Sequence, residues 1–105
     1  MDFPTNNYLT SEKEVEAILA CVARQIVKNE SNENDVKARI DGHRDHKPWN
    51  GDSTSLRFNK DAIRKAIKVI KEHGWRCWEY TDYQNELSIW ITASGVCPHP
   101  WYKEC

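Results

Sequence analysis

STSLRFNKDAIRKAIKVIKEHGWRCWEYTDYQNELSIWIT, residues 53–92, reads as strand, helix, strand, turn and strand. Its helix has both ends marked. Asn59 stands at the N-cap and Asp61 in the first turn, where a carboxylate meets the positive end of the helix dipole. Lys71 and His73 precede Gly74, the usual pattern of cations followed by a residue that accepts positive φ. Between them Ala62, Ile63, Ala66, Ile67, Val69 and Ile70 recur at helical spacing and make one apolar stripe. Opposite it lie Lys60, Arg64, Lys68 and Lys71, which at about 100° per residue fall within roughly 80° of one another. Arg57 and Arg76 flank the helix.

The strands alternate with period two. Leu56 and Phe58 share one face of the first, and Leu87, Ile89 and Ile91 share one face of the last. Trp75 and Cys77 are assigned to the helix side, since the chain there has just left the helix. Trp78, Tyr80 and Trp90 then gather on the opposite face, with Asp82, Tyr83, Gln84 and Asn85 as the hairpin turn. Three aromatic residues on one sheet face need a cover or form a binding surface.

Working outward, Ser11-Glu12-Lys13-Glu14 reads as a capping box opening a helix to about Lys28. Val15, Ile18, Leu19, Val22 and Ile26 give it a stripe widened by Ala23 and Val27. The expected partner of so wide a stripe is the aromatic face, which would make Trp78, Tyr80 and Trp90 core. A short second helix is expected from about Glu33 to Asp41, with Val36 and Ile40 inward and Gly42 as its stop. Residues 43–52 form a polar loop with turn residues at Pro48 and Asn50-Gly51. Residues 1–10 are an irregular leader pinned by Phe3 or Tyr8. In the tail, residues 93–105, Pro98 and Pro100 rule out a regular helix. The fold class expected is α+β: N-terminal helices, then the strand-helix-strand-strand unit with a small three-stranded sheet, in one domain of 105 residues.

Charged residues make up 30% and hydrophobic residues 39% of the chain, a balance that suits a water-soluble globular protein. No apolar run reaches the roughly 18 residues of a membrane helix. The opening residues lack the basic and apolar regions of a secretory signal, so a cytoplasmic location is expected. Cys21, Cys77, Cys97 and Cys105 show no framework spacing and read as free thiols. The net charge of −1 conceals a strong asymmetry. Residues 1–35 are net −4, residues 55–76 net +5 and residues 77–105 net −3.

His43, His46, Cys97, His99 and Cys105 are residue types that bind zinc, but no CxxC knuckle accompanies them. Asp41, His43, Asp45, His46 and Asp52 hold the donors of a nuclease metal site at a spacing that matches no mechanical pattern. No phosphate-binding, serine-hydrolase or metalloprotease motif is present. The sequence therefore implies no cofactor and no metal, and a chain that acts by binding rather than catalysis.

A short strand, a Lys-rich helix ending in KEHGW and a hairpin closing on LSIWIT resemble many small bacteriophage accessory proteins. The resemblance covers STSLRF through LSIWIT. It implies an inhibitor or adaptor acting on a host protein or complex in the host cytoplasm, since some such proteins inhibit host or antiviral machinery. The residues expected to carry binding are Arg57, Lys60, Arg64, Lys68, Lys71, Trp78, Tyr80 and Trp90. A homodimer through the sheet is compatible with that set. The alternative is a nucleic-acid or nucleotide binder that sets the basic helix against phosphates.

Overall fold

The computed structural model describes residues 11–42, 57–84 and 86–105. In chain order the elements are α1 (Ser11–Lys28), β1 (Val36–Gly42), β2 (Arg57–Phe58), α2 (Lys60–Glu72), β3 (Arg76–Thr81), β4 (Leu87–Thr92) and β5 (Lys103–Glu104). The strands form one sheet in the order β2-β1-β4-β3-β5. From β1 through β4 and β3 to β5 every pairing is antiparallel, and the two residues of β2 run parallel to β1. The class is α+β, but the sheet is larger than the three strands expected.

The difference lies mainly in β1. The segment expected to be a second helix from Glu33 to Asp41 is a strand. Val36 and Ile40 are four residues apart, which suits one face of a helix and one face of a strand equally. Ala38 decides between them. Ala38 and Ile40 are buried while Arg39 and Asp41 are exposed, a period of two. In this register Ala38 faces Ile91 and Ile40 faces Ile89 on β4. Gly42, expected to stop a helix, instead closes the strand onto α2. A Cβ there would lie 3.0 Å from Ile63 Cδ1 and 3.3 Å from Leu87 Cβ.

α2 forms as its sequence dictates. The Asn59 side chain accepts the N–H of Asp61 at 2.8 Å. At the other end His73 N–H reaches Ile70 O and Gly74 N–H reaches Lys71 O, with Gly74 at φ +89°. A capping box is expected of Ser11 and Glu14, and the Ser11 side chain lies outside the described atoms. The Glu14 carboxylate is buried and accepts the backbone N–H of Asn59, so it joins α1 to the start of α2. A carboxylate beside a helix N-terminus is favoured by the dipole as well as by the hydrogen bond.

Both helices lie against the same sheet face. Ile18 and Val22 of α1 join Ile63, Ala66, Ile67 and Ile70 of α2 in one cluster with Ala38, Ile40, Cys77, Leu87, Ile89 and Ile91. Trp75 packs on this cluster and Cys77 is fully buried in it, as their assignment to the helix side requires. α1 therefore does not cover Trp78, Tyr80 and Trp90, contrary to expectation. Its stripe packs on α2 and β1 instead, and Ala23 and Val27 at its margin stay exposed.

α1 also closes the outer edge of β1, where β2 is too short to reach. The Gln25 amide donates to Arg39 O and accepts Arg39 N–H, both at 3.0 Å, and Asn29 Nδ2 donates to Lys37 O at 3.0 Å. Side-chain amides here stand in for a further strand and block edge pairing. The expectations for Phe3, Tyr8, Leu56, Pro48 and Asn50-Gly51 fall outside the described residues. Among the described residues no helix is long and apolar enough to cross a membrane.

Ile63 has no exposed surface and sits between α1, Gly42 and the sheet. Ile63→Ala should cost about 2–5 kcal/mol in denaturant unfolding. A loss below about 0.5 kcal/mol, the range of an ordinary surface site, would reject the packing described.

Candidate binding surface

The sheet face away from the helices carries Trp78, Tyr80, Ser88, Trp90, Thr92 and Arg39. Its cover is the tail. Pro98 and Pro100 keep residues 97–102 out of helix, and a turn closed by Tyr102 N–H on His99 O at 3.0 Å folds them back. β5 then pairs with β3, Glu104 opposite Trp78 and Lys103 opposite Glu79. Because Tyr102 and Glu104 alternate with Lys103, both point to the aromatic face.

The result is a ledge of stacked rings. Tyr102 stacks on Trp90 at 4.4 Å between centroids and 26° between planes. Its hydroxyl lies 3.1 Å from Ser88 Oγ. Tyr80 meets Tyr102 at 5.6 Å and Trp101 at 6.0 Å. His99 stands edge-on to Trp90, Trp101 and Tyr102. Arg39, directly across the ladder from Trp90, holds its guanidinium 4.8 Å from the centre of that ring. Arg39 is exposed and Trp101 is 67% exposed. Among the described residues Arg39 has no carboxylate partner.

The three aromatic residues expected to act together are divided by this arrangement. Tyr80 and Trp90 are half-buried members of the ledge, whereas Trp78 is 6% exposed and structural. Its indole N–H donates to Thr92 Oγ1 at 2.9 Å, Thr92 Oγ1 donates to Ser94 O at 2.7 Å, and Ser94 Oγ donates to Asp35. This chain satisfies a buried donor and ties the start of the tail to the segment before β1.

The basic stripe is also divided. Lys60 is buried and does not lie on the exposed face. Arg64 pairs with Glu79 of β3 at 3.2 Å, so the stripe is not free of acids as its helical spacing alone suggests. Lys71 Nζ donates to Cys105 O at 2.6 Å. Lys65 and Lys68 are the exposed cations between these anchors. Arg76 pairs with Glu104 at 3.1 Å. Cations on and beside α2 thus fasten β3 and β5, and two of them, Arg64 and Arg76, are matched by carboxylates. The strand β2 contains Arg57, whose side chain falls outside the description.

Cys77 and Cys105 are not poised as nucleophiles. Burial pushes Cys77 up to about 12, reinforced by Cys105 and opposed by Lys71. Burial pushes Cys105 up to about 11, with Glu79 adding and Lys71 and Arg64 opposing. Both stay protonated at neutral pH, and the thiolate is the nucleophile. Cys97 is exposed, but its Sγ is turned onto the carbonyls of His99 and Tyr102. Among the described residues no group of three or more His, Cys, Asp or Glu is placed to hold a metal ion. His43, His46, Asp45 and Asp52 lie outside the described residues.

Trp101 is an aromatic candidate from the sequence alongside Trp78 and Trp90, whereas Arg39, His99 and Tyr102 are not among the residues expected to carry binding. Arg39 lies in the segment expected to be a helix, His99 reads as a metal ligand from its residue type, and Tyr102 sits in a tail without periodicity. The density of aromatic residues in that tail was the available signal. No protein-family model, curated protein or solved structure matches the chain.

Thr92→Val keeps the shape of the side chain and removes the acceptor of the Trp78 indole. The orphaned buried donor should cost about 1–3 kcal/mol. Unchanged stability in chemical unfolding would show that the indole bond is dispensable.

Proposed function

We propose that the chain is a non-enzymatic binding protein that grips a protein partner with the ledge of Arg39, Trp90, Tyr102, Trp101, Tyr80 and His99. One observation carries the reading: a Trp held between a stacked Tyr and an Arg without a carboxylate partner among the described residues, beside a second Trp that is largely exposed. Trp, Tyr and Arg are the side chains that dominate protein-protein binding energies, because each brings large contact area with few degrees of freedom. The ledge is already ordered by stacking and by the Ser88–Tyr102 contact, which lowers the entropy lost on docking.

A nucleic-acid partner is the second reading, since bases stack on Trp and Tyr. Charge favours protein. A strand of phosphates needs several cations along its track, and each contributes through counterion release. Around the ledge Arg76 is taken by Glu104, and Lys37 Nζ is taken by the carbonyls of Asn29 and Asn32. Arg39 is left to face the partner. The likeness to bacteriophage accessory proteins implies the partner's class, a host protein or complex, and makes inhibition or adaptation the consequence of binding.

The test compares partner capture from host lysate by the wild type, by Arg39→Ala with Trp101→Ala, and by Lys65→Glu with Lys68→Glu. A protein retained by the wild type should be lost with the first pair, by roughly tenfold or more in affinity, and kept with the second. Loss only with the lysine reversal would move the site to the exposed face of α2. Anisotropy with single-stranded DNA and RNA at low salt should show no saturable binding. Binding that weakens steeply with salt would favour the second reading.

A further inference from the structure

The two helices leave a second surface, on the side of the molecule opposite the ledge. The outward face of α1 carries Glu12, Lys13, Glu16, Ala20, Ala23, Arg24, Val27 and Lys28, all exposed, so its N-terminal end is net acidic with one cation in it. Val27 is 70% exposed, one of the few large apolar side chains so open to water. At the C-terminal end of α1 lies an open hollow of about 380 Å³, lined by Ala23, Arg24, Val27 and Lys28. At the N-terminal end lies another of about 460 Å³, lined by Glu12, Val15, Glu16, Lys65 and Val69. Each has an apolar floor. One is rimmed by cations. The other has two acids on its rim, with Lys65 on the α2 side.

The order of charges along the helix identifies the occupant. Ala20 is midway between Glu16 and Arg24, and also midway between Glu12 and Lys28. A two-fold axis running beside the helix at the level of Ala20, perpendicular to it, therefore sets the acidic end of one copy on the basic end of the other. We infer that α1 is a homodimer interface in which two copies cross antiparallel at Ala20, setting each acidic end on the partner's basic end. Val27 of each protomer enters the partner's hollow over Val15 and Val69. Arg24 and Lys28 reach the partner's Glu16 and Glu12. Ala20 and Ala23 let the backbones approach at the crossing. Such an interface is isologous, with the same patch used by both subunits. One helix face buries less than the roughly 1,600 Å² of a standard interface, so the dimer is weak and sensitive to salt. It leaves both ledges outward, which makes the dimer bivalent for the proposed partner.

The experiment is sedimentation velocity on the full chain over a series of concentrations into the high-micromolar range. The wild type should dimerise. Glu16→Arg alone sets cation on cation across the crossing, and Arg24→Glu alone sets acid on acid, so each variant should associate roughly tenfold or more weakly. In a mixture of the two variants, a heterodimer places opposite charges at both copies of this contact, and the mixture should dimerise again. Both positions are exposed, and melting curves of the single variants should match the wild type at concentrations where all are monomeric. A wild type that stays monomeric throughout would overturn the proposal. So would a dimer indifferent to both charge reversals, or a mixture that fails to restore association.

Discussion

Ile89 and Ile91 have no exposed surface because β4 is bracketed on both edges and on both faces. β1 and β3 take up its backbone groups, two helices lie on one face, and the aromatic ledge lies on the other. The other described elements are arranged around that strand. The helix stripes are apolar because Leu87, Ile89 and Ile91 point at them. The tail folds back because Ser88, Trp90 and Thr92 point the other way and need cover. A strand that presents three aliphatic residues to one side and a Trp to the other specifies two environments at once.

The charges follow from this division. In isolation α2 reads as a basic helix in search of an acidic partner. In the fold it works largely as a clasp. Arg64 and Lys71 reach Glu79 and the Cys105 carbonyl, while Arg76 beside it reaches Glu104. Exposed ion pairs of this kind contribute little stability one at a time. Three contacts along two adjacent strands orient β5 all the same, and β5 carries Tyr102 onto Trp90. The basic residues thus help to hold the ring stack in register.

Much of the fold was legible in the sequence where local and tertiary demands agree. α2 has its cap, stripe and terminal glycine all pointing one way, and β3 and β4 alternate cleanly. The failures have physical causes. Val36 and Ile40 satisfy both periods, and only a neighbour such as Ile89 or Ile91 can choose between them. Glu14 stands where a capping-box carboxylate belongs, yet its contact is with Asn59, 45 residues away, which no local pattern reveals. The candidate site was legible by half. Strand phase alone puts Tyr80 and Trp90 on one face, but Arg39, Trp101 and Tyr102 join them only through the pairings of β1 and β5. Lys60 shows the converse, a helical position that spacing puts on the surface and burial takes away.

Native-state hydrogen exchange tests the central place of β4 most directly. Its amides, paired with strands on both sides, should exchange only through global unfolding and respond to denaturant with the full unfolding slope. The Cys105 amide, held to Cys77 O of β3 just beyond the short β5, should exchange faster through local opening. β4 amides that exchange as fast as that of Cys105, with a shallow denaturant dependence, would contradict the account.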